Sequence, residues 1–286
     1  MYQRNIEHSL RLALADTPVV LLIGARQTGK STLALRLAKD LSAQYLTLDD
    51  ATVLAAATAD PQGFVSSSQG MLVIDEVQKA PDLFPAIKMD VDAHRRPGRF
   101  FLTGSANVLM LPKLAESLAG RMEIVTLWPL SQGEILDRRE RFIASVFSER
   151  LPQLERHGEE PRDLLQHLTV GGYPEVVGRA SERRRQAWFA SYVTTILQRD
   201  VRDLANIDGL REMPRLLALL AARTGGLLSI SELSRASGVP HTTLKRYLSL
   251  LEATFLVTTL PAWSANVGKL RAVTINDGQI IRIVEG

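Results

Sequence analysis

The sequence predicts an α/β fold, in which a parallel sheet carries helices on both faces and continues into a mostly helical second half. Three observations predict it. Over roughly the first 130 residues, short apolar runs of strand length alternate with amphipathic segments of helix length. A glycine-containing turn joins the first of those runs to the first strongly periodic helix. From Asp163 onward helical spacing dominates, and turn-flanked apolar alternation returns only near the end of the chain.

The elements follow in order. The opening "MYQRNIEHSLRLALADTP" reads as an amphipathic helix without a small-residue cleavage site, so no export signal is expected and the cytoplasm is the default compartment. The expected strands are Val19–Ile23, Gln44–Leu48, Met71–Ile74, Arg99–Thr103 and Glu123–Leu127. After Gly29, Leu33, Leu37 and Leu41 share one helix face with Ala34 and Ala38 beside them. In "PLSQGE", Ser131 is an N-cap with Glu134 three residues later, the pattern of a capping box. Arg138–Arg162 is charged, contains two prolines and reads as an exposed linker or insertion. The expected division is therefore residues 1–137, a linker over 138–162, a helical region over 163–226 and a final unit over 227–286. The "NDG" of Asn276–Gly278 is the expected turn of a closing hairpin between "RAVTI" and "QIIRIV".

Composition narrows the function. The 286 residues have room for two domains of roughly 100–200 residues each. Apolar residues make up 45% and charged residues 23%, an ordinary globular balance that supplies a full core. The net charge of +3 is weak but uneven: Arg179–Arg246 holds 12 basic and 6 acidic residues, so that stretch carries +6 and the remainder −3. Such asymmetry suits an anionic partner for the second half. There is no cysteine, which excludes disulfides, thiolate metal sites and a cysteine nucleophile. No apolar run approaches the roughly 18 residues that a membrane span needs.

The chemistry is concentrated in three stretches. Gly24, Ala25, Arg26, Gln27, Thr28, Gly29, Lys30 and Ser31 fit the pattern G-x-x-x-x-G-K-[ST], with Thr32 next to it. The glycines let the backbone wrap so that its N–H groups point inward at phosphate oxygens, and the following helix adds the positive end of its dipole. Lys30 would bridge the β- and γ-phosphates of a nucleotide, and the Ser31 hydroxyl would ligate Mg²⁺. In "GMLVIDEVQKAPDLF", the apolar Met71–Ile74 strand ends in Asp75, at the carboxyl end where ligands of open α/β sheets bind. Asp75 would hold the Mg²⁺ shell, and Glu76 would orient an attacking water and take its proton. A kinase has little need of that second carboxylate, and a GTP switch needs an N-K-x-D base reader that the chain lacks. The balance favours ATP with Mg²⁺, and hydrolysis over transfer or switching. A binding switch with negligible turnover and a nucleotide kinase stand as the alternatives. The next strand ends in "FFLTGSANVLML", which brings Thr103, Ser105 and Asn107 near the γ-phosphate; Ser105 and Asn107 are the candidate phosphate sensors, and N-capping of the following helix is the other role open to them.

Together these residues resemble a family of bacterial and archaeal AAA-type ATPases joined to a winged-helix domain of unknown function. The matching stretches include "GARQTGKSTLALRLA", "LVIDEVQKAPDLF", "FFLTGSANVLML", "ESLAGRMEIVTLWPLSQGE", "GGYPEVV", "YVTTILQRDVRDL" and "SANVGKL", in family order from about Val19 to Leu270. The resemblance implies a P-loop core with sheet order 5-1-4-3-2, a helical middle and a winged helix. It also nominates two arginines as sources of positive charge for the γ-phosphate, Arg121 in "ESLAGR" and Arg199 in "QRDVRDL", in their own chain or across to a neighbour in a homo-oligomer. Of the two, Arg121 is the expected catalytic arginine; Arg199 reads better as half of an ion pair with Asp203. Family members usually continue into a nuclease-like domain. The resemblance here fades after "SANVGKL", and the last 16 residues hold only two carboxylates, so no nuclease activity is expected of this chain.

The stretch "SISELSRASGVPHTTLKRYLSLLEATFLV" has helix-turn-helix form. Ser231 is the expected cap of its first helix and Gly238 the turn, while Leu244, Leu248 and Leu251 bury the second helix. Thr242, Thr243, Lys245 and Arg246 then fall on or near the exposed side, where duplex DNA is met in DNA-binding cases; a protein partner is the other occupant such a surface serves.

Overall fold

The computed structural model describes residues 2–105, 118–147, 161–202, 211–260 and 280–283. Five parallel strands form the main sheet: β1 Val19–Ile23, β2 Gln44–Thr47, β3 Leu72–Asp75, β4 Phe100–Gly104 and β5 Met122–Thr126. Their order is β2-β3-β4-β1-β5, the 5-1-4-3-2 arrangement read from the other edge. Each strand begins within a residue or two of its predicted position. The three central strands are legible because both of their faces are covered: every residue of β1, β3 and β4 is buried. At about 1.5–3 kcal/mol for each large aliphatic side chain taken from water, these runs dominate the stability of the domain.

Two apolar layers flank the sheet. On one face, Leu33, Ala34, Leu37 and Ala38 of the helix Lys30–Asp40 pack with Leu10 and Leu14 of the helix Glu7–Asp16 against Val20, Leu22, Val73 and Phe101. On the other, Leu83, Phe84, Ile87 and Val91 of the helix Leu83–Ala93 cover Leu21, Ile74, Phe100 and Leu102. Leu41 departs from the expected helix face. It is the C-cap residue after Asp40, and there its side chain is exposed.

A third cluster forms the second half, around Tyr173, Tyr192, Ile196, Leu216, Leu233, Leu244 and Leu251. The helices Ile230–Ser237 and His241–Ala253 are joined at Gly238, whose φ of 76° gives the left-handed turn. The first of these helices is capped by Ser229 rather than Ser231: the Ser229 side chain accepts from the N–H of Glu232 at 3.3 Å. The helix therefore starts two residues earlier than expected, with Ile230 buried and Ser231 inside it, exposed. Strand β6, Val257–Leu260, pairs antiparallel with β7, Ile280–Ile283. The expected first hairpin strand, "RAVTI", lies outside the described residues.

The capping box at Ser131 is present, with the Ser131 side chain accepting from Glu134 N–H and the Glu134 carboxylate accepting from Ser131 N–H. The start of the charged segment that follows is tied down. Glu140 accepts from Ser131 Oγ at 2.8 Å and from Asn5 Nδ2 at 2.6 Å.

Candidate functional site

The turn after β1 winds through two left-handed residues, Gln27 at φ 61° and Gly29 at φ 93°. Gly24 must be glycine for a packing reason: a Cβ there would lie 2.3 Å from the Leu127 carbonyl oxygen. The helix Lys30–Asp40 then begins at Gly29 with no side-chain cap, so the donors of its first turn face the loop. Lys30 is buried, and its Nζ donates to the carbonyls of Gly24 at 3.0 Å and Ala25 at 2.8 Å. Burial lowers its pKa to about 8, against the opposing pull of Glu76 and Asp75. The loop is held from outside by Arg4, whose Nη1 donates to Thr28 O at 2.8 Å and whose Nη2 donates to Trp128 O at 2.5 Å.

Strand β3 delivers the carboxylates, and β4 the threonine that links them. Asp75, at the end of β3, is 2% exposed and is ringed by hydroxyls. Ser31 Oγ donates to its Oδ1 at 3.0 Å, Tyr45 OH to its Oδ2 at 2.9 Å and Thr47 Oγ1 to the same Oδ2 at 3.4 Å. Thr103 Oγ1 also donates to Oδ1. Burial, then the charge of Asp75, pushes the Tyr45 hydroxyl well above the usual phenol range, so it stays a donor. Glu76 sits in a left-handed conformation, φ 59° and ψ 43°, which turns it away from the strand direction. Its N–H donates to Thr103 Oγ1 at 3.1 Å, and its carboxylate accepts from Gln78 Nε2. One threonine therefore links both acidic residues.

Ser31, Asp75, Glu76, Lys30 and the Gly24–Thr32 loop thus come together at the carboxyl ends of β1, β3 and β4. Ser105 is buried just after β4, and Asn107 lies outside the described residues. Arg121 is not brought to this place. It precedes β5, and Val19 N–H donates to its carbonyl, so it marks the opposite end of the sheet, roughly 16 Å away at about 3.3 Å per strand residue. There its guanidinium donates to Asp92 at 2.6 and 3.0 Å. This placement corrects the expectation of Arg121 beside the phosphate loop of its own chain. Arg199 is exposed, and its expected partner Asp203 lies outside the described residues.

Two features were not anticipated. One is a cavity of about 300 Å³ beside the loop, lined by Tyr2, Arg4, Gly29, Thr32, Leu130 and Pro174 among others. The other is Asp200. It is buried and takes two hydrogen bonds from Arg26 of the loop, Nε to Oδ2 at 2.6 Å and Nη2 to Oδ1 at 2.7 Å. The chain signalled half of this: Asp200 stands four residues after Ile196 and three after Leu197, on their buried face, and so needs a partner.

For Mg²⁺, Ser31 and Asp75 present hard oxygen donors of the right kind, 3.0 Å apart. Among the described residues, no group of three or more His, Asp or Glu could hold a metal alone. A cation held there would need further ligands from phosphate and water. Among those residues, too, no helix is long and apolar enough to cross a membrane.

Residues 16–136 match the family described as AAA domain, and residues 161–275 match a domain of unknown function. Uncharacterized proteins of Mycobacterium bovis and Mycobacterium tuberculosis are each 36% identical to the chain over 268 residues, covering 93% of it and 55% of their own length. The chain thus spans about half the length of the curated relatives it matches. The Walker-type ATPase of Pyrococcus abyssi superposes with a TM-score of 0.55 at 14% identity, covering 99% of this chain and 93% of that one. At that identity the likeness shows the fold.

Proposed function

We propose that the chain, whose residues 16–136 match an AAA domain, binds MgATP and hydrolyses the β–γ phosphoanhydride, and that nucleotide state controls what its second half contacts. The observation that carries this reading is the meeting of Lys30, Ser31, Asp75 and Glu76 at one end of the sheet, with Thr103 joining the Asp75 carboxylate to the Glu76 backbone N–H.

The roles follow from chemistry. The N–H groups of Gly24–Thr32 cradle the phosphates, and Lys30 exchanges two backbone carbonyls for phosphate oxygens. Ser31 and Asp75 hold Mg²⁺, which supplies charge neutralisation at the phosphates. Glu76 accepts the proton of the attacking water, and Thr103 positions it through its backbone. Ser105 and Asn107 remain the candidates for sensing the γ-phosphate. The cavity at Tyr2, Thr32, Leu130 and Pro174 is of a size and character to take the base. Arg121 enters this scheme only across a subunit boundary, as a donor to a neighbour's site in a homo-oligomer.

For the second half we propose duplex DNA or a protein as partner, through Thr242, Thr243, Lys245 and Arg246. Lys245 and Arg246 are exposed on the helix His241–Ala253, next to a two-stranded antiparallel ribbon. A winged helix is the arrangement this suggests, and the unit divisions at 137/138, 162/163 and 226/227 go with that reading.

Single-turnover hydrolysis of labelled ATP tests the enzyme assignment. We expect phosphate release by the unmutated chain and its loss in Glu76→Gln. Tight ATP binding with no release in either would replace hydrolysis by a binding switch. Product formed only with an added acceptor would make the chain a kinase.

A further inference from the structure

Among the described residues, one ion pair fastens the phosphate loop to the second half of the molecule. Arg26, the second variable residue of the loop, places a two-pronged grip on Asp200, at 2.6 and 2.7 Å. The Asp200 side chain is 8% exposed and that of Arg26 29%. The loop is tied in two more ways close by. Tyr192 OH donates to Arg26 O at 3.3 Å, and Ala25 is buried in the same apolar cluster as Tyr192, Ile196, Leu197 and Val201.

The element that carries Asp200 is unusual. The helix Glu182–Thr195 runs into a π-helical turn, Ile196–Val201, that holds one residue more per turn than an α-helix. Such turns are rare, and they occur at functional sites more often than elsewhere.

The charges give this geometry a direction. A buried carboxylate beside a phosphate-binding loop opposes the entry of a triphosphate unless it is neutralised, and Arg26 neutralises it. The hydrogen bond from Arg26 to Asp200 raises the arginine's pKa further, so the guanidinium keeps its charge. A nucleotide on the loop presents Arg26 with a second, more highly charged anion. Once the guanidinium turns to phosphate, Asp200 is a buried charge without a partner, which is a strongly unfavourable arrangement. The turn can relieve it by moving off the loop and taking Asp200 to water.

We propose that Arg26 and Asp200 form a nucleotide-sensitive latch, in which phosphate competes with Asp200 for one guanidinium and so releases the Ile196–Val201 turn from the loop. This deepens the ATP-binding reading and rests on it: it names the contact through which nucleotide reaches the second half.

Amide exchange over residues 192–202, with and without saturating MgATP, reads the latch directly in the unmutated chain. Binding of a fluorescent ATP analogue, measured on the same samples, establishes occupancy independently. We expect faster exchange of this segment on nucleotide binding. In Asp200→Asn, which keeps the shape and removes the charge, exchange should be fast from the start and insensitive to MgATP. The analogue should also bind about tenfold tighter to this variant, inside the ordinary range of coupling between sites. Bound nucleotide with unchanged or slower exchange in the unmutated chain overturns the latch. So does an Asp200→Asn affinity within about twofold of wild type. No binding of the analogue by the unmutated chain overturns the ATP reading, and the latch falls with it for that separate and visible reason.

Discussion

Lys30 is a cation that the fold holds in a place where charge is costly. Its ammonium is buried against two loop carbonyls and titrates at about 8 instead of in the usual lysine range. Two pH dependences of opposite sign follow. For folding, the unfolded chain binds more protons than the native one between about pH 8 and the usual lysine pKa of about 10.4, so the Lys30 contribution makes the protein more stable as pH rises through that window. For nucleotide, the neutral amine offers no counter-charge, so affinity should fall as pH rises through 8. Titrations of a fluorescent ATP analogue between pH 7 and 9.5 should show the decline, and calorimetry at the upper end should show a proton taken up on binding. Lys30→Ala should abolish the affinity and with it the pH effect; wild-type-like binding by that variant would remove Lys30 from the site. The role proposed for Glu76 is on the attacking water and not on the nucleotide's charge. Glu76→Gln keeps the volume and loses the base, so MgATP binding should persist while turnover falls by about 10²–10⁴. A loss of less than about tenfold in steady-state hydrolysis would show that another group accepts the proton.

At the scale of elements, the second helix of the helix-turn-helix pair buries Leu244, Leu248 and Leu251 and leaves Thr242, Lys245 and Arg246 exposed. If this face meets duplex DNA, Lys245→Glu with Arg246→Glu should weaken binding and flatten its salt dependence, since two phosphate contacts are lost. A gel shift with no binding by the unmutated chain at low salt would leave a protein as the partner. What the chain reveals about such elements depends on how far apart their determinants lie. The loop Gly24–Thr32 and the strand end at Asp75 were legible because each is a contiguous pattern on a strand whose burial makes it apolar throughout. Thr103 was visible as a strand-end hydroxyl, but its double contact with Asp75 and Glu76 needed the β3–β4 pairing. Tyr45, Arg4 and Asp200 were not legible as site residues. They reach Asp75, Thr28 and Arg26 from 30, 24 and 174 residues away, and no local spacing encodes those meetings. Arg121 stands away from the loop of its own chain for a simpler reason. A residue just before a parallel strand belongs to the amino end of the sheet, away from the loop after β1.

Over the whole molecule, the two halves meet along a seam that also supports the site. Leu130 N–H donates to Gly172 O at 2.7 Å, and a Cβ on Gly172 would lie 2.1 Å from Leu130 O, so only glycine permits this approach. Pro174, just beyond, lines the cavity beside the loop together with Leu130. Phe255 is the apolar pin of the seam. It packs against both the second-half core and the layer under the sheet, and its ring meets Trp128 edge-on at 5.4 Å between centroids. Trp128 in turn offers its carbonyl to Arg4, which holds Thr28 of the loop. This chain of contacts predicts that the halves unfold together, and that Phe255 decides whether they do. Phe255→Ala removes a half-buried ring, at a cost of about 2 kcal/mol by comparison with fully buried cases, and it removes the edge contact with Trp128. Scanning calorimetry should give one transition for the unmutated chain and two for the variant, the lower belonging to the second half. MgATP should raise the upper transition of the variant, because the loop, Lys30, Asp75 and Glu76 all lie in the first half. A single transition in the variant, lowered as a whole, would mean that the Leu130–Gly172 pairing and the Arg26–Asp200 bridge hold the halves together without the ring.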